Sequence, residues 1–217
     1  MKSDKELQKD VIDELRWEPG VNAEDIGVTV KDGVVTLDGS VDSYAEKWAA
    51  RQSVKRVSGV KALAVEVHVK LPGSTELTDA GIAQAAENAL QRDVTVPSDR
   101  ITVSVERGFL TLEGEVEWQF QSSAAEQAVR HLPGVTDVDN VIIVKPEVVP
   151  AEVKGKIEAA FKRNAILDAS QINVQADGGK VTLTGSVHTW AERDVAENVA
   201  WAAPGVSAVR DELKVSC

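Results

Sequence analysis

One heptapeptide pattern occurs three times in this chain and constrains its fold more than any other feature. Gly33-Val34-Val35-Thr36-Leu37-Asp38-Gly39, Gly108-Phe109-Leu110-Thr111-Leu112-Glu113-Gly114 and Gly179-Lys180-Val181-Thr182-Leu183-Thr184-Gly185 are 75 and then 71 residues apart. Two further markers keep those offsets: Ile26, Ile101 and Ile172, and Ser58-Gly59-Val60, Pro133-Gly134-Val135 and Pro204-Gly205-Val206. Three markers in one register do not arise by chance. The period is too long for a solenoid repeat, so each copy must close its own core.

Each copy reads as helix, strand, strand, helix, strand. The first helix carries an apolar residue every fourth position: Leu7, Val11 and Leu15, then Ile82, Ala86 and Leu90, then Val153, Ile157 and Phe161. That spacing keeps them on one helical face. The first strand alternates, with Ile26, Val28 and Val30 matched by Ile101, Val103 and Val105 and by Ile172, Val174 and Ala176. One face of the sheet is therefore buried and the other open. Asp32-Gly33, Arg107-Gly108 and Gly178-Gly179 close hairpins in which glycine supplies positive φ. Ser3 with Glu6, Ser43 with Glu46 and Thr189 with Glu192 have capping-box spacing; the middle copy has Trp118 and Gln121, a weaker cap. The second helix turns small residues inward, such as Ala49 and Ala50, Ala124 and Ala125, and Val195 and Ala196. The expected fold is α/β of the α+β type: three tandem αββαβ modules at 1–71, 75–145 and 150–217. Each has a three-stranded mixed sheet with both helices on one face. The joints Leu71-Pro72-Gly73-Ser74 and Lys145-Pro146-Glu147-Val148-Val149-Pro150 are short and stiffened by proline.

The order of elements, the Gly-x-[Val/Leu]-Thr-Leu-x-Gly strand and the later Pro-Gly-Val resemble the BON domain (bacterial OsmY and nodulation). The resemblance covers nearly the whole chain three times over; Ser58 in place of proline and the middle cap are the departures. It implies a place among bacterial osmotic-stress proteins, secretins, haemolysin-like proteins and mechanosensitive channels. It also implies binding of phospholipid or recruitment to membranes, often in the periplasm. The family's glycines carry over to Gly33, Gly39, Gly108, Gly114, Gly179 and Gly185, where a structural role is expected.

Charge bears on the partner. The net charge is −11 with an isoelectric point near 4.8. Nucleic acid binding rests on Lys and Arg neutralising phosphates, so nucleic acid is not expected. Docking on an anionic bilayer by charge alone is opposed as well. No apolar run reaches the ~20 residues that span a bilayer, and the opening Met1-Lys2-Ser3-Asp4-Lys5-Glu6 has no signal-like stretch. The sequence as written is expected in the cytoplasm, with the periplasm as the alternative if a signal has been removed. Cys217 is the only cysteine, so no internal disulfide forms.

Chemistry-bearing groups are sparse. His68, His131 and His188 fall in different copies at unmatched positions, without the partners that zinc requires. No nucleophile sits beside a base, so no catalytic residue, metal or cofactor is expected. Gly178-Gly179-Lys180 closes a hairpin rather than opening a helix, so it is not a phosphate loop. Glu113, Glu115 and Glu117 share one side of a strand and are read as a solvated strand end rather than a cation site.

Tryptophan is the remaining signal: five of the aromatic residues are Trp. Trp17 aligns with Arg92 and Arg163, Trp48 with Ser123 and Asp194, and Trp201 is set beside Arg51 and Glu126. Tryptophan at positions that other copies leave polar marks a contact, either between copies or with an outside partner or membrane interface. The last strand of the middle copy is also unusual. Its outward residues are Val141, Ile143 and Lys145, against Glu66, His68 and Lys70 in the first copy and Arg210, Glu212 and Lys214 in the third. With Phe109 they are expected to form one apolar patch covered by a flanking copy, making the middle copy the hub of the molecule. If the patch is open, it becomes a binding surface. The expected function is a non-enzymatic, stress-related binding protein at lipid or the envelope; the alternative is a cytoplasmic interaction scaffold or holdase.

Overall fold

The apolar spacing of the first segment of each copy becomes a helix that buries three residues. These are α1 (Asp4–Trp17), α3 (Asp79–Arg92) and α5 (Val153–Arg163), each with its apolar triplet at 2% exposure or less. The computed structural model describes residues 2–70, 77–146 and 152–216. The linker residues Leu71-Pro72-Gly73-Ser74 and Glu147-Val148-Val149-Pro150, and Cys217, lie outside the described residues. Ser3 and Glu6 form the reciprocal box that caps α1.

Each module then lays down a mixed sheet. In the first, β1 (Ile26–Lys31) and β2 (Val34–Val41) pair antiparallel, and β2 pairs parallel with β3 (Ala62–Val69) after α2 (Tyr44–Arg56). The second repeats this with β4 (Ile101–Glu106), β5 (Phe109–Val116), α4 (Gln119–Arg130), β6 (Asp137–Asn140) and β7 (Ile143–Val144). The third uses β8 (Ile172–Asp177), β9 (Lys180–Val187), α6 (Trp190–Trp201) and β10 (Ala208–Val215). The strand carrying the repeated heptapeptide is central in all three, so its inward residues Val35 and Leu37, Leu110 and Leu112, and Val181 and Leu183 are buried to 1% or less. Three separate cores result, one per module.

The glycines of the motif do two different jobs. Asp32 and Gly33 have φ of 54° and 82°, and Arg107 and Gly108 have 52° and 77°, the mirror-image turn that matches strand twist. In the third hairpin the positive φ belongs to Gly178, not Gly179. Gly179 is needed for space instead: a Cβ there would lie 2.6 Å from the Gly205 carbonyl oxygen. Gly39, Gly114 and Gly185 have φ of 119°, 148° and 125°, and a Cβ at each would fall on the carbonyl oxygen of Asp25, Arg100 or Gln171. The first residue of the first helix also ties down the hairpin. Asp4 accepts from the Asp32 and Gly33 N–H groups at 2.8 and 3.0 Å, and Asp79 accepts from those of Arg107 and Gly108 at the same distances. The sequence pattern alone does not announce that bond.

Two expectations for the middle copy fail here. Its last strand is not continuous: Asn140 turns inward, its amide donating to the Ser122 carbonyl and hydroxyl oxygens while its Oδ1 accepts the Ile142 N–H, and the ladder breaks into β6 and β7. Nor does a neighbouring module cover its open face. Val141, Ile143 and Phe109 are 47%, 60% and 43% exposed, so the middle copy is not a hub in that sense. They do not form one patch either. Phe109 stands opposite Asp137, and Ile143 opposite Glu115. Six residues of strand separate Phe109 from Glu115, on the order of 20 Å. Ile143 stands instead beside Glu115 of β5.

Candidate functional site

The modules meet through their second helices. Counted from the N-caps Ser43, Trp118 and Thr189, the residues Tyr44, Gln119 and Trp190 are equivalent, as are Trp48, Ser123 and Asp194. The same count makes Lys55, Arg130 and Trp201 equivalent, which corrects the alignment of Trp201 with Arg51 and Glu126.

These positions build three junctions that all run in one sense. Tyr44 of the first module is 5% exposed and belongs to the core of the second, while Arg130 of the second lies 3.6 Å over the Trp48 ring. Lys47 adds an ion pair to Asp137 at 2.8 Å. Trp190 of the third module packs on the core of the first and donates its indole N–H to the Val60 carbonyl at 2.9 Å. Beside it Lys55 pairs with Asp194 at 2.7 Å. The third junction sets Ser123 of the second module opposite Trp201 of the third. The first module thus leans on the second, the second on the third and the third on the first, so the ring closes. The half-exposed ion pairs are worth about 0.2–1 kcal/mol each. A buried aromatic ring is worth about 2–3 kcal/mol, so Tyr44 is the main anchor of its junction, and the partly buried Trp190 contributes a smaller share at the other.

The third junction has no anchor at that position; its aromatic contact comes from Trp201, which packs on the core of the second module. Gln119 takes the place of Tyr44 and Trp190, and Ser123 that of Trp48 and Asp194. What remains is a groove of about 490 Å³ between α4 and α6, walled by Trp118, Phe120, Ala124 and Trp201. The Trp118 and Phe120 rings flank Gln119 with centroids 6.4 Å apart, and Phe120 is 56% exposed. Trp118 has no oxygen with which to cap α4, and Gln121 supplies the half of the box that remains by accepting from the Trp118 N–H at 3.0 Å. The weak cap is thus the sequence trace of this groove. Trp201 packs on its own module's core and on that of the second module, and its indole N–H points to Glu197 at 3.4 Å.

Burial pushes the Glu197 carboxyl above its usual range. An acid whose folded value is raised destabilises the fold as pH climbs through about 4.5 to that raised value, and the penalty is constant above it. Glu197→Gln keeps an acceptor for the indole and removes the charge. Thermal melts should therefore show the variant more stable than the parent at pH 7, with the gap closing near pH 4.

The other residues singled out from sequence are scattered. Trp17, at the end of α1, is 81% exposed, whereas Trp48 and Trp201 are absorbed into module junctions. Two apolar residues missed from sequence occupy the loop matching the one that follows Trp17: Val94 at 99% and Ile166 at 65% exposure. Both lie in turns closed by side chains, Asp93 accepting from the Thr95 N–H and Asn164 from the Ile166 N–H. Their signal was an apolar residue just after the first helix in the second and third copies, near the place that Trp17 holds at the helix end in the first. Of the three glutamates, Glu115 pairs with Lys145 at 3.1 Å. His188 contacts Glu192 at 3.2 Å, and His68 and His131 lie exposed in other modules. Among the described residues no three His, Cys, Asp or Glu side chains gather as a metal site, and no helix is long and apolar enough to cross a membrane.

Comparison with known proteins agrees with this repeat. The profile of the BON domain matches residues 3–70, 78–146 and 151–217. The chain belongs to the BON domain family. Among curated relatives, osmotically-inducible protein Y of Escherichia coli (strain K12) is 29% identical over 147 residues, covering 64% of this chain and 73% of that protein. Among solved structures, CdsD, a structural protein of the type III secretion system of Chlamydia trachomatis, aligns over 96% of this chain and 91% of its own at 18% identity and a TM-score of 0.27. The periplasmic domain of the inner-membrane protein PrgH of S. typhimurium aligns over 89% and 95% at 12% identity and a TM-score of 0.23. Both structural likenesses are too slight to bear on this chain. Each αββαβ unit is hereafter a BON module.

Proposed function

We propose that this protein is a non-enzymatic, stress-related binding protein that associates with phospholipid at the cell envelope through apolar side chains. The observation that carries this reading is an exposed apolar residue at the same end of each BON module: Trp17 at the end of the first helix, and Val94 and Ile166 on the loops that follow the first helix of the second and third modules. None of the three serves a core, and apolar side chains held out at one end of the modules fit insertion into a lipid interface. The net charge of −11 makes that association depend on apolar burial rather than on anionic headgroups. The osmotic inducibility in the name of the Escherichia coli relative supports the stress setting.

Flotation with phosphatidylcholine vesicles, with and without phosphatidylglycerol, tests it. The protein should float with both, no better with the anionic lipid, and Trp17→Ser/Val94→Ser/Ile166→Ser should lower binding about tenfold or more, since each buried side chain contributes ~1.5–3 kcal/mol. If the parent stays with the soluble fraction, the scaffold reading takes its place.

A further inference from the structure

We propose that the groove between the second and third BON modules binds a small, uncharged aromatic molecule, whose ring takes the place that Tyr44 and Trp190 fill in the other two junctions. The inference stands apart from lipid association, and either can fail alone. Its basis is the closed ring of junctions. Two of the three equivalent positions pack an aromatic ring against the neighbouring module: Tyr44 at 5% exposure, and the partly buried Trp190 with its N–H bonded to Val60. The third position holds Gln119, and the space beside it stays open between Trp118, Phe120 and Trp201. The position that carries a ring in the other two junctions therefore lacks one here, and the space beside it is walled by aromatic side chains.

Size and polarity define the occupant. The groove's volume of about 490 Å³ falls in the range of small-molecule sites. Its walls are indole and phenyl rings, suited to edge or offset stacking. None of the described residues lining it carries a charge, although 27% of the chain is charged. A charged ligand would lose hydration there without a counter-ion, whereas the amides of Gln119, Gln127 and Asn198 offer partners to a neutral polar edge.

Indole is the probe. Titrated into the ¹⁵N-labelled full chain, it should saturate with a dissociation constant of about 1 mM or below, shifting the side-chain N–H signals of Trp118 and Trp201 and leaving that of Trp17 in place. Benzoate, of similar size but charged, should leave them unmoved. Ser123→Trp fills the groove and should weaken indole binding at least tenfold; Gln119→Tyr, which restores the residue type of the first junction, should do the same. Absent or non-saturating shifts, shifts centred on Trp17, equal binding of benzoate, or undiminished binding in whichever filled variant keeps the parent spectrum would each overturn the proposal. The parent titration decides it even where neither variant folds.

Discussion

Leu112→Ala costs the middle BON module about 2–5 kcal/mol of stability. Leu112 lies on the central strand β5, paired with Val103 on one side and Asn140 on the other, and is 0% exposed. Truncation removes buried methyl groups at a point held on both sides by the ladder, so the backbone cannot collapse into the void. A unit of about 70 residues has little stability in reserve, so the loss is a large share of what the module possesses. Denaturant unfolding, with amide exchange assigned to the middle module, measures it, because one global transition is not assured in a three-module chain. A loss under about half a kcal/mol would show that Leu112 is not a core residue.

Gly114→Ala is expected to be at least as damaging, for a reason of backbone rather than packing. Its φ of 148° is strained for any residue with a Cβ, and that Cβ would fall on the Arg100 carbonyl oxygen, part of the chain entering β4. Strain of about 1–3 kcal/mol and overpacking of similar size put the cost at about 2–6 kcal/mol. Gly33→Ala is the control. Its φ of 82° is also left-handed, but the nearest atom to an added Cβ is the flexible Lys61 side chain at 3.0 Å, so its cost stays at the backbone strain alone, about 1–2 kcal/mol. The two substitutions are the same chemically and belong to one motif. Equal losses would mean that the carbonyl contact at Gly114 is not what the glycine serves.

The contrast shows how far the pattern of residues reaches. Periodicity places Leu37, Leu112 and Leu183 in three cores because alternation on a strand and fourfold spacing on a helix are local geometry, repeated identically in each copy. The same locality explains the misreadings. Apolar residues on both sides of Val141–Val144 argued for a strand covered on both faces, yet Asn140 bends inward to Ser122 and the open face stays in water. Phe109 and Ile143 are both outward, but outward is a direction and not a place; register puts them at opposite ends of β5.

The sequence by itself determined the module: its element order, central strand, buried triplets and glycine turns all follow from short-range spacing that the chain states three times. Tertiary structure alone decided how the modules close on one another, because that depends on residues that break the repeat. Tyr44, Gln119 and Trp190 are unalike in sequence and become comparable only when three helices are seen to meet in one sense. The groove exists because two of those residues pack a ring against the neighbouring module and the third does not, a difference of side-chain volume across an interface that no local period encodes.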